Sequence, residues 1–275
     1  MLRLSFSTGT LYPWPLRTTF ALAQEVGFQG VELVWGPEVV LRGAAYVRRL
    51  SQEYLPVLSL HPPIVPYPGK GRAAGILPDL ICLARQVDCP LVVLHPPKAT
   101  VPEETDWTEF LEILLRERQR SNPDVQISLE NATIVRAADA HYILHDLRRL
   151  RAFADRHDLP LTFDTSHAGT SSYELLEAYA LLASRVVNVH FSDLVRGRIF
   201  PDWRPLYTLF RHHQMPGQGV LPLAEFVRVL LTAGYAGPFT LEVSPTALQA
   251  WHPSRVREAL AKAVKFIRQL EGDVL

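Results

Sequence analysis

The chain has 275 residues, the span of one (β/α)8 barrel or of two ordinary small domains. Its 48% apolar and 20% charged residues match an average globular protein, which excludes a disordered or collagen-like chain. Twenty-eight basic residues balance 28 acidic ones, so the charge argues against a nucleic-acid partner and no block of like charge forms a tail.

The expected strands and helices alternate along the chain. Strand 3–7 precedes helix 16–26, and strand 30–34 precedes helix 37–53. Strand 55–60 leads to helix 75–87, strand 91–95 to helix 107–120, and strand 125–130 to helix 138–157. Strand 161–164 is followed by helix 172–183, and strand 186–190 by a long connection, 191–221, and helix 223–233. Strand 239–243 and helix 254–270, with Ser254 as N-cap, close the series. The strand cores read as near-continuous apolar runs, the pattern of a parallel sheet covered by helices. Eight strand–helix units in this length favour a closed TIM barrel, one domain over 1–275, with 191–221 as a long loop over its mouth.

No run approaches the ~20 apolar residues of a membrane span. The opening apolar run, soon followed by Pro13 and Pro15, is short for a secretory signal. A soluble cytoplasmic protein with no membrane contact is expected, and a homo-oligomer is compatible with the sequence. Cys82 and Cys89 cannot make a disulfide framework and read as small buried hydrophobes.

Metal-competent side chains stand at six strand ends: His61, His95, Glu130, Asp164, His190 and Glu242. In a barrel, all these ends converge on one mouth. His61 and His95 each precede a proline, which holds them in extended backbone. Glu130, Asp164 and Glu242 together would repel one another unless a cation sat among them. With His190 they make a four-ligand oxygen and nitrogen set without thiolate, suited to Mn²⁺, Zn²⁺, Fe²⁺, Co²⁺ or Mg²⁺. His61 and His95 could hold a second ion by sharing Glu130, or else bind substrate. His167 and, in the long loop, His213 lie near this set in the sequence pattern. His141 and His145, four apart in helix 138–157, and His157 read as surface residues.

Leu129-Glu130-Asn131, Asp164-Thr165-Ser166-His167, His190 with Asp193, Gly217-Gln218-Gly219, Gly234-Tyr235-Ala236-Gly237 and Leu241-Glu242 resemble the xylose isomerase-like (β/α)8 superfamily along essentially the whole chain. The resemblance implies a metal held by Glu130, Asp164, His190 and Glu242. The sugar-epimerase branch implies substrate binding by His167 and by an arginine at the place of Arg196. That branch often carries a second glutamate where this chain has Arg136. The endonuclease IV-type branch, with three zinc ions, has ligands similar to His61, His95, Glu130, Asp164, His167, His190 and Glu242. Its Asp-Arg-His element is matched by Arg211-His212-His213, with His213 in the ligand place and Arg211 where the aspartate would stand.

The leading expectation is a divalent-metal enzyme that isomerises or epimerises a small sugar or polyol. Glu130 and Glu242 would move a proton next to a carbonyl through an enediolate. His61, His95, His167 and Arg196 would bind the substrate. The rival expectation is metal-dependent phosphodiester hydrolysis at abasic DNA.

Overall fold

A computed structural model describes residues 1–64, 73–121, 124–199 and 201–272. Residue 200 of the long connection lies outside the described residues. The strands are β1 (Arg3–Ser7), β2 (Gly30–Val34), β3 (Val57–His61), β4 (Leu91–Leu94), β5 (Gln126–Glu130), β6 (Leu161–Asp164), β7 (Val186–Phe191) and β8 (Pro238–Leu241). They form a closed barrel in chain order. All neighbours are parallel, and β1 closes on β8 from the Arg3–Pro238 pair to the Phe6–Leu241 pair.

The strands are buried but not uniformly apolar, which corrects the expectation of continuous apolar runs. Leu4 and Phe6 alternate with Ser5 and Ser7; Val31 and Leu33 flank Glu32; Phe163 precedes Asp164 and Val189 precedes His190. Successive strand residues point to opposite faces. The apolar set joins the core between barrel and helices. The polar set fills the barrel's inside, where His190 Nε2 on β7 reaches Glu32 Oε2 on β2 at 2.8 Å, across the lumen. Ser128 and Thr162 meet there at 2.7 Å.

Outside run α1 (Leu16–Glu25), α2 (Pro37–Glu53), α3 (Leu77–Gln86), α4 (Thr105–Ser121), α5 (Leu147–Arg156), the single turn α6 (Thr165–Ala168), α7 (Leu175–Leu182), α8 (Arg204–Phe210), α9 (Leu223–Thr232) and α10 (Pro253–Gly272). Prolines open α2, α3 and α8, where a missing N–H costs nothing. Gly43, at φ 71°, interrupts α2. The helix expected over 138–157 is broken. Two 3-10 turns, Ala137–His141 and Ile143–His145, come first, and α5 starts only where Asp146 caps it by accepting the Arg149 N–H at 2.9 Å. Asp139 accepts the N–H groups of Val135 and Arg136, both at 2.9 Å, and this local bonding competes with helix. His145 is consequently buried rather than on the surface, while His141 is exposed and the partly buried His157 lies 4.5 Å from the Phe153 ring. Cys89 is buried as expected; Cys82 is exposed.

The connection after β7 is ordered by one side chain. The Asp193 carboxylate accepts N–H groups from Leu194, Gly217, Gly219 and Leu221 at 2.8–3.1 Å. A Cβ at Gly219 would overlap that carboxylate, which explains the glycine. Asp193 also bridges Gln214 in antiparallel fashion, so α8 is carried out and back as a flap whose Arg204 and Thr208 line the cavity at the barrel mouth.

Candidate active site

Parallel strands bring residues distant in sequence to one end. Asp164 and His190 are register partners on β6 and β7, Glu130 ends β5, and Glu242 follows β8. The ligating atoms of these four side chains all lie within 4.8 Å of one another. His190 Nδ1 stands 2.8 Å from Glu242, 3.5 Å from Glu130 and 3.9 Å from Asp164.

Two more groups flank this one and share its carboxylates. His61, His95 and Glu130 form the first, with Nε2–Oε2 separations of 3.7 and 3.2 Å to Glu130. Asp164, His167 and His213 form the second, with His213 Nδ1 3.8 Å from Asp164. Arg211 supplies no ligand to the second group, and its side chain engages the loop. Its guanidinium donates to the Val195 carbonyl at 3.2 Å and lies over the Tyr207 ring at 5.0 Å.

The residues fit divalent cations on an observation of their own. Glu130 Oε2, Asp164 Oδ2, His190 Nδ1 and Glu242 Oε2 are buried, and none has a hydrogen-bond partner. Buried polar atoms are almost always satisfied, and an ion accounts for such a set. The charge balance points the same way. Burial raises Asp164. Burial also works to raise Glu130 and Glu242, but His190 and the neighbouring imidazoles hold both well below the usual carboxylate range. Burial opposes charge on His61 and His167, yet the surrounding carboxylates outweigh it and push each up to about 9. The carboxylates thus demand positive charge, from imidazolium protons or from metal.

Neighbours fix which ring nitrogen faces the centre. A carbonyl only accepts, so His61 donates through Nδ1 to Pro62 at 2.7 Å and presents Nε2. His167 Nδ1 donates to the Asn131 carbonyl at 2.9 Å and also stands 3.1 Å from Glu130 Oε1. Asn131 clasps the backbone of Asp164, donating to its carbonyl at 3.0 Å and accepting its N–H at 2.7 Å. His190 gives Nε2–H to Glu32, which also accepts from Ser59 at 2.9 Å, leaving Nδ1 for the centre. Glu32 is the side chain that the sequence did not reveal, since it stands mid-strand in Gly-Val-Glu-Leu-Val. His213 adopts φ 50°, an uncommon backbone for a residue with a side chain, held by its N–H on Ser166 Oγ at 3.1 Å.

The centre opens into a cavity of about 710 Å³. His61, His95, Glu130, His167, His213 and Glu242 line it, as do His145, which the sequence places on the surface, and Arg204 and Thr208 of the long connection. Arg204 is oriented by Asp139 at 2.7 Å. Arg196 is exposed on the loop and does not line the cavity, because Asp193 and Val195 are tied to Gln214 and Arg211 and lead the chain along the surface.

A family model described as a xylose isomerase-like TIM barrel matches residues 20–270. An uncharacterized protein of Mycobacterium leprae is 29% identical over 273 residues, covering 91% of each chain. Among solved structures, a D-tagatose 3-epimerase-like protein superposes with a TM-score of 0.73 at 17% identity, covering 99% of this chain and 98% of that one. The 3-keto-D-glucoside 4-epimerase YcjR of E. coli, apo form, does so with a TM-score of 0.70 at 15% identity, covering 98% and 100%.

Proposed function

The chain belongs to the xylose isomerase-like TIM-barrel family, and from that premise we propose that it is a multinuclear divalent-metal enzyme that hydrolyses a phosphoester in a small substrate. The observation that carries this reading is the three linked ligand groups joined through Glu130 and Asp164. Each group contains imidazole, which suits Zn²⁺, Fe²⁺ or Co²⁺ better than Mg²⁺. Clustered ions would polarise the phosphoryl oxygens and bring a water to hydroxide near neutral pH. The chain's own residues do the rest. Glu242 is the most open carboxylate of the central group, at 19% side-chain exposure, and is placed to take or orient a proton from water entering the cavity. His95, in the flanking group with His61 and Glu130, also lines the cavity. Arg204 and Thr208 cover the mouth and help exclude bulk water. The size of the cavity and the zero net charge favour a small phosphoester over duplex DNA.

A second reading is isomerisation or epimerisation of a sugar, favoured by the presence of Glu130 and Glu242 together in the central group. There the two carboxylates would pass a proton to and from the carbon next to a carbonyl. The sugar epimerases among the similar structures share this fold.

One experiment separates the two. Metal per chain is measured, then hydrolysis of bis(p-nitrophenyl) phosphate and solvent-deuterium exchange into ketoses are assayed on the same sample. More than one ion per chain is expected, with phosphoester hydrolysis reduced by His61→Ala and His95→Ala by roughly 100-fold or more. A single ion per chain, with exchange abolished by Glu130→Gln or Glu242→Gln and indifferent to His61→Ala, would establish the sugar reaction instead.

A further inference from the structure

Away from the ligating side chains, the cavity wall changes character. Pro63, Ala74, Pro97, Phe110 and Ile113 line it, from the connections after β3 and β4 and from α4. Phe110 is buried in an aromatic cluster with Trp107 and Phe153, both 6.3 Å away between ring centroids, so this part of the wall is backed by packed rings. One polar ring is set into it. His145 is 4% exposed, lies edge-on to Tyr142 at 4.9 Å, and its Nδ1 is buried without a hydrogen-bond partner. Burial pulls His145 down to about 4, and Lys98, His167 and Arg204 add to the effect against the pull of Asp139. The ring is therefore neutral near pH 7 and brings no charge to the wall, while its unpartnered nitrogen remains free for a hydrogen bond.

Among the described residues, the charges nearby do not turn this wall into an anion site. Arg204 is engaged with Asp139, Lys98 and Glu109 are exposed, and Asp106 brings a carboxylate to the same side. The volume of about 710 Å³ lies within the range of about 300–1,000 Å³ that encloses drug-sized ligands, and exceeds what a phosphate group or one sugar ring needs.

We propose that this wall is a subsite for an aryl or heteroaryl group carried by the substrate beside its reacting centre, packed against the prolines and Ile113 and hydrogen-bonded to His145. The proposal rests on the reading of this cavity as the active site, but not on which reaction the metal end performs. Burial of a ring of this size typically tightens binding by roughly 10- to 100-fold.

The test uses two matched probe pairs on metal-loaded protein in equilibrium titrations: phenylphosphonate against methylphosphonate, which have no ester to hydrolyse, and phenyl β-D-glucoside against glucose. The ring-bearing member of a pair is expected to bind at least about 10-fold more tightly. Ile113→Asn is expected to abolish that preference and His145→Phe to reduce it. Indole, a ring alone, is expected to compete with the ring-bearing probe on wild-type protein, which tests the subsite without any variant. Equal affinity within both pairs, a preference that survives Ile113→Asn, failure of indole to compete, or binding of none of the four probes would each overturn the subsite. Loss of the phosphonate pair alone, with the sugar pair still ring-selective, would overturn the hydrolytic reading and leave the subsite standing.

Discussion

Glu32 shows how one carboxylate can act on a centre it does not join. By accepting His190 Nε2–H at 2.8 Å it fixes the ring's tautomer and makes Nδ1 a better donor to a cation. Glu32→Gln keeps the shape but removes the charge. Metal affinity, read by competition with a chelating dye, is expected to fall by roughly 10- to 100-fold. Unchanged affinity would remove this role. The candidate ligands are legible because charge and imidazole at the ends of apolar runs are conspicuous, as at His95, Glu130 and Asp164. Glu32 is not, because its partner lies 158 residues away and only barrel closure brings β2 opposite β7. His145 was misplaced for a different reason: helical spacing put it on an outer face, while Asp139 and Asp146 broke the helix and turned the ring inward.

At the scale of elements, strand order and helix alternation could be read from hydrophobic runs bounded by turns, and β1, β2 and β6 fall where the sequence puts them. The path of the connection after β7 could not. It depends on Asp193, a single carboxylate holding four N–H groups of a segment up to 28 residues ahead. Asp193→Asn places an amide donor against some of those donors. It is expected to destabilise the protein by about 1–3 kcal/mol in denaturant titrations and to speed amide exchange at Gly217 and Gly219. Wild-type exchange there would show that the segment is held by other contacts. The same connection carries His213 to Asp164, so its order and the second flanking group stand or fall together.

For the whole molecule, the candidate centre ties folding to pH and, on the proposed reading, to metal. In the metal-free chain His61 and His167 are pushed up to about 9 from 6.5, because nearby carboxylates outweigh the burial that opposes their charge. A raised folded value stabilises fully below the unfolded value, and that stabilisation is lost as pH rises through the folded one. The unfolding temperature of chelator-treated protein is therefore expected to fall between about pH 6.5 and 9. Metal-loaded protein, whose ligands have already given up their protons, should stay nearly level over the same window. A flat profile for the metal-free protein would contradict this account. The shared carboxylates have one more consequence. The middle group holds three of them, while each flank has one, and that one is shared with the middle. An ion in the middle neutralises the charge on which both flanks depend. Occupancy would then be graded, tight at the centre and looser at the edges. How complete the centre is in a growing cell would follow the supply of metal as much as the amount of protein.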